Sequence, residues 1–207
     1  MLASIVTLVL ATAAFAMPAN NAVRAAPDPS QVTLNNIVYG GSGCPQGSVG
    51  SYISPDRQTF TLIFDQYVAA IGPGVAVSQS RKNCQLNLDL KYPGGFQYSI
   101  LNTVYRGYAG LDAGVTGVQS TTFYFSGQTA QTTTSTTFKG PVSGDYATQD
   151  SVDLTSTIWS PCGSTAALNM NSQVRLTSPN NNAKGLLTDD SIDGKITFVV
   201  GVQWQKC

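Results

Sequence analysis

Apolar and polar residues alternate along most of this chain. In Gln85-Leu86-Asn87-Leu88-Asp89-Leu90-Lys91 every second side chain is apolar, the period of a strand with one face in a core and the other in water. The same period runs through Phe60, Leu62 and Phe64, and through Leu168, Met170, Val174 and Leu176 with Ser172 interrupting. It recurs in Val152, Leu154 and Ile158, and in Ile196, Phe198, Val200, Val202 and Trp204. No long window keeps a helical period. Turn-forming residues punctuate the runs at Pro55-Asp56, Gly72-Pro73-Gly74, Pro93-Gly94-Gly95, Gly140-Pro141, Ser178-Pro179-Asn180 and Asp193-Gly194. Short strands at this spacing predict an all-β fold, an antiparallel β-sandwich of jelly-roll-like type. The Thr-rich stretch Gln128–Thr137 reads as a polar edge strand ahead of an O-glycosylated loop, because Thr favours strands.

The N-terminus breaks this pattern. Leu2 to Phe15 is an apolar run closed by the small-x-small triplet Ala14-Phe15-Ala16, the form of a cleaved signal peptide, although no Lys or Arg precedes it. The run is too short to span a bilayer. Residues 17–30, rich in Ala and Pro, read as a short linker or propeptide. Residues 31–207 are then one β-sandwich domain, a length that suits a single core.

Export changes the reading of the cysteines. Cys44, Cys84, Cys162 and Cys207 form an even set in an oxidising compartment and predict two disulfides. Three pairings are open. Cys44–Cys84 with Cys162–Cys207 is preferred because each closes a loop of roughly 40 residues within one half of the chain, contributing about 3–4 kcal/mol through the unfolded state. The four are too widely spaced, with no neighbouring His, for a zinc site, so no metal and no cofactor is expected.

Composition narrows the chemistry further. Eleven basic residues balance eleven acidic ones, which leaves no basic stripe for nucleic acid and no polybasic patch for a lipid surface. The chain contains no His, which removes Ser-His-Asp and Cys-His catalysis and His-based metal centres. It also contains no Glu, and every acid is Asp; the paired-Glu glycosidase arrangement cannot be drawn. No Asn-x-Ser/Thr acceptor occurs. Binding is favoured over catalysis.

Candidate site residues come from an aromatic segment next to glycines, Tyr92-Pro93-Gly94-Gly95-Phe96-Gln97-Tyr98, followed by Tyr105-Arg106-Gly107-Tyr108. Exposed rings can stack on sugars while Asp and Arg hydrogen-bond the hydroxyls. The candidates are Asp65, Tyr92, Tyr98, Arg106 and Tyr108. Against this stands the alternation, which turns Phe96 and Tyr98 toward a core and places Trp159 and Trp204 there too. Two cation readings are weaker. Asp189-Asp190-Ser191-Ile192-Asp193-Gly194 looks like half of a calcium loop, but Val200 stands where a bidentate ligand belongs, and a hairpin turn accounts for it. Asp145, Asp150 and Asp153 fall near one another, possible companions for Asp112 or Asp65, but alternation separates Asp150 from Asp153.

Several blocks together carry a family resemblance: Gly41-Ser42-Gly43-Cys44-Pro45-Gln46-Gly47-Ser48, Phe64-Asp65-Gln66-Tyr67, Arg81-Lys82-Asn83-Cys84-Gln85-Leu86, Tyr92-Pro93-Gly94-Gly95-Phe96, Tyr105-Arg106-Gly107-Tyr108, Trp159-Ser160-Pro161-Cys162-Gly163 and Trp204-Gln205-Lys206-Cys207. In order over residues 41–207, these resemble the small secreted, mainly fungal proteins catalogued as domain of unknown function 4360. The resemblance implies secretion, a β-rich fold and disulfides at the four cysteines. It implies no activity.

The function expected is therefore that of a secreted, extracellular, monomeric, non-catalytic protein that binds at a cell wall or host surface, with glycan as ligand and neither nucleic acid nor membrane as partner. The alternatives are an Asp-dependent hydrolase or lyase and a secreted effector acting through protein contacts.

Overall fold

The computed structural model describes residues 26–152, 157–163, 167–188 and 198–207. The signal peptide, the calcium-like loop at 189–194, and Asp153, Leu154 and Ile196 lie outside the described residues. Alternation translates directly into strands. Cys84, Leu86, Leu88 and Leu90 on β5 (Arg81–Lys91) are buried, and the residues between them are not. Leu168, Met170, Val174 and Leu176 do the same on β10 (Leu168–Thr177). Ser172 is turned inward with them and accepts a hydrogen bond from the buried Tyr67 hydroxyl at 3.1 Å, which removes the penalty of burying it unpaired.

Two antiparallel sheets result. One runs β1 (Thr33–Gly40), β5, β10, β7 (Thr116–Phe125) and β8 (Gln131–Lys139). The other runs β2 (Val49–Ile53), β3 (Thr59–Phe64), β12 (Phe198–Lys206), β6 (Phe96–Leu111), β11 (Gly185–Thr188) and β4 (Val68–Ile71), with β9 (Val142–Ser151) also on β6. The sheets pack face to face as a jelly-roll-like sandwich. Its core includes Phe60, Leu62, Phe64, Tyr105, Phe123, Phe125 and Phe198. The Thr-rich stretch forms the edge strand β8, and the chain passes from one sheet to the other at Gly140-Pro141.

The strand expected through Val152, Leu154 and Ile158 is not a regular one in its described part. β9 ends at Ser151, and Val152 and the segment 157–163 meet β6 through isolated bonds. Val152 N–H donates to the Leu101 carbonyl, Ser160 N–H to Tyr98 and Gly163 N–H to Phe96. Pro161 lies in this segment with no N–H to give to a ladder. The packed chain also reaches further back than residue 31, because Pro27 is buried and Arg57 Nε donates to the Pro29 carbonyl at 3.3 Å.

Cys44 joins Cys84, and Cys162 joins Cys207, with Cα–Cα distances of 5.4 and 5.9 Å. These are the pairs favoured by loop length. The first ties the β1–β2 turn to β5; the second ties the 157–163 segment to the end of β12.

The outer face of the five-stranded sheet is polar throughout its centre. Cross-strand register sets Asn87, Asn169, Tyr124 and Gln131 in one row, Gln85, Asn171, Thr122 and Thr133 in the next, and Asn83, Gln173, Ser120 and Ser135 in a third.

Candidate functional site

The five candidate residues separate into three places. Tyr92 and Tyr98 belong to the core. Tyr98 is fully buried and Tyr92 is 7% exposed. They pack with Trp204, the two tyrosine rings 5.4 Å apart and each within 5.6 Å of the indole. The Tyr92 hydroxyl is spent on the fold, 2.9 Å from Ser160 Oγ and 2.8 Å from the Pro161 carbonyl oxygen. Neither ring can meet a ligand at the surface, and both are withdrawn as contact residues. Trp204 is buried as alternation implies, while Trp159 is only half-buried. Asp65 is exposed in the turn after β3, bonded through its backbone N–H to the Ser48 carbonyl.

Arg106 and Tyr108 do share a surface. Both point outward from β6, on the face opposite to buried Tyr105 and Ala109. Antiparallel pairing with β9 places Asp145 directly across from Tyr108, Ser143 across from Gly110, and Ala147 across from Arg106, so these side chains stand on one face. The Tyr108 hydroxyl lies 2.9 Å from Ser143 Oγ, and the Tyr108 N–H donates to Thr188 Oγ1 at 3.0 Å. Gly110 makes room for the ring. A β-carbon built there would stand 2.9 Å from Tyr108 Cε1 and 3.3 Å from its hydroxyl oxygen.

Beyond Gly110 the face falls into a wide-mouthed hollow of about 760 Å³, lined by Asp112, Val142, Ser143, Asn180 and Asn182 among others. Two smaller hollows, of about 390 and 210 Å³, share lining residues with it. Together they crease this end of the sandwich. The loops that form the walls are tied. Asp112 Oδ2 accepts from Lys184 N–H at 2.7 Å, and Asn180 Oδ1 accepts from Asn182 N–H at 3.0 Å. Exposed Val75, Val77, Val142 and Leu186 rim the same end.

Chemically, the site offers one aromatic ring, amides, a hydroxyl, carboxylates and a guanidinium. Among the described residues it offers no activated nucleophile. All four cysteines are disulfide-bonded, and the sequence supplies no His. Among the described residues, no three Asp or Cys side chains gather as metal ligands. Asp145 faces outward, whereas Asp150 is half-buried and accepts from Thr136 Oγ1 at 3.0 Å. The sequence marks Asp112 and Asp145 only as cation candidates and Asn180 only as part of a turn, and it does not mark Ser143 or Asn182. Their signal is the β6–β9 register and a loop contact across the sheet, neither of which a single sequence displays.

The family model described as domain of unknown function 4360 matches residues 30–207. An uncharacterized secreted protein of Arthroderma benhamiae is 56% identical over 191 residues, covering 92% of this chain and 78% of the relative. Among solved structures, TmCBM61 in complex with beta-1,4-galactotriose aligns over 84% of this chain and 90% of its own, at 8% identity and a TM-score of 0.29; so low a score carries no argument. Among the described residues, no helix is long and apolar enough to cross a membrane.

Proposed function

The chain belongs to the family of domain of unknown function 4360, and from that premise we propose that it is a non-catalytic extracellular protein that binds glycans at a cell wall or host surface. The observation that carries this reading is the outward Tyr108 ring, its tip over Gly110, with Ser143, Asp145 and Arg106 around it. A sugar presents a C–H face that stacks on an aromatic ring and a rim of hydroxyls that planar amides, carboxylates and guanidinium groups hydrogen-bond. The adjoining hollow, walled by Asp112, Asn180 and Asn182, suits a short length of such a chain. Export agrees with the secreted relative and with the apolar leader.

A second reading, an effector acting through protein contacts, draws on Val75, Val77 and Leu186 at the same end. An Asp-dependent hydrolase would draw on Asp65 with Arg106 and Tyr108, but Asp65 is placed in a turn of a different strand, and none of the three lines the hollows described above.

The test is retention on chitin, β-glucan and cellulose together with a soluble glycan array. Wild-type protein should be retained by at least one polymer or register on the array. Tyr108→Ala, and Gly110→Ala by displacing the ring, should weaken capture of the soluble oligosaccharide about two- to tenfold, the range expected for one stacking contact. No retention anywhere would remove glycan as the ligand.

A further inference from the structure

The outer face of the five-stranded sheet is a second surface, separate from the hollow beside Tyr108. Its three central rows across β5, β10, β7 and β8 hold amides, hydroxyls and the Tyr124 phenol, with no charged and no aliphatic side chain. Surfaces that meet only water ordinarily mix charges of both signs. Here charge is kept to the ends of the strands: Arg81 stands opposite Arg175, with Lys139 at the end of β8, on one side, and Asp89 and Lys91 lie on the other. The face is also pre-arranged. Asn87 Nδ2 donates to Asn169 Oδ1 at 2.9 Å, the Thr122 and Thr133 hydroxyls lie 2.9 Å apart, and Gln85 Nε2 reaches the Tyr124 hydroxyl at 3.4 Å. An amide engaged through one N–H keeps further donor and acceptor capacity.

We propose that this face binds an extended, uncharged polysaccharide laid across β5, β10, β7 and β8, with Tyr124 as its stacking ring. A polyol without charge asks only for neutral donors and acceptors, and this block supplies nothing else. An acidic polymer would need cations spread along its path. Strands about 4.8 Å apart, with same-face residues about 6.8 Å apart along each, present this grid over roughly 14 by 14 Å. Side chains already held by one another lose little freedom on binding. The inference rests on the reading that the ligand is a glycan, but it places a site on the opposite sheet, suited to long polymers rather than short segments.

The experiment is a depletion isotherm of the full-length mature protein on insoluble chitin, β-1,3-glucan and cellulose, at low and high salt. Four proteins are compared: wild type, Tyr124→Ala, Asn171→Asp with Gln173→Glu, and Tyr108→Ala. Thermal unfolding checks that each is folded, and Tyr52→Ser, exposed on β2 of the other sheet, serves as the control. Both sheet-face variants should bind the polymers about tenfold more weakly, Tyr108→Ala should lose less than either, Tyr52→Ser should bind as wild type, and wild-type binding should ignore salt. Sheet-face variants that bind as wild type would overturn the proposal. If Tyr108→Ala alone loses binding, the glycan reading stands and the sheet face is excluded. Binding that collapses at high salt would also exclude it, assigning the ligand to the Arg81–Arg175 end. Wild-type protein that binds no polymer and no arrayed glycan would overturn both.

Discussion

Tyr92 and Tyr98 are neighbours in the core, yet their hydroxyls fare differently. Tyr92 donates to the Pro161 carbonyl and lies beside Ser160 Oγ, whereas the buried Tyr98 hydroxyl has no hydrogen-bond partner among the described residues. Removing a satisfied hydroxyl loses its bonds and strands the partners, while removing an unsatisfied one relieves a desolvation cost. Tyr92→Phe should therefore lower stability by about 1–2 kcal/mol in urea unfolding, and Tyr98→Phe should leave it unchanged or raise it by about 1 kcal/mol. A larger loss from Tyr98→Phe would contradict the placement of that hydroxyl. The inward turn of Tyr98 is legible from its alternation with Gln97. What alternation cannot show is that Tyr92, in the loop after β5, folds back on Ser160, 68 residues later.

Among the elements, β5 and β10 are the most legible, since each carries a period of two broken only at Lys82 in the one and Ser172 in the other. The stretch after β9 is the least, because its apolar residues Val152 and Ile158 pack inward without a continuous ladder. A disulfide substitutes for the missing pairing there. Cys162→Ser with Cys207→Ser should destabilise the domain by about 3–4 kcal/mol. It should also release the 157–163 segment with its half-buried Trp159, read as a red shift of tryptophan fluorescence and faster amide exchange around Ser160 and Gly163. The candidate site was half legible for the same reason that strands are. Arg106 and Tyr108 share a face by alternation within β6, but Asp145 and Ser143 reach them through a register set between strands, and Asn180 and Asn182 through a loop.

At the scale of the whole molecule, the absence of His and Glu from the sequence shapes the response to pH. No side chain of ordinary pKa changes charge between pH 5 and 8, so stability should be flat there. The flanks have named causes. The Ser30 backbone N–H, then its hydroxyl, hold the Asp28 carboxyl below the ordinary value; the Ser54 hydroxyl, then the Gln58 N–H, do the same for Asp56. A depressed carboxyl contributes stability above its unfolded pKa and loses it as pH falls through the lowered folded one, so melting temperature should drop below about pH 4. Burial pushes the Tyr98 phenol well above its ordinary value. Its contribution is complete below about pH 10 and declines as pH rises from there toward the raised folded value. A melting curve that sloped between pH 5 and 8 would contradict this.

The back-to-back packing of the two sheets has a mechanical consequence. Tyr108 looks out from one side of the sandwich and Tyr124 from the other, so a molecule holding sugar on both sides is a rivet between fibres. A dilute suspension of polysaccharide should thicken on its addition and thin again when either ring is removed, with the storage modulus measuring a join that no single-site assay would detect.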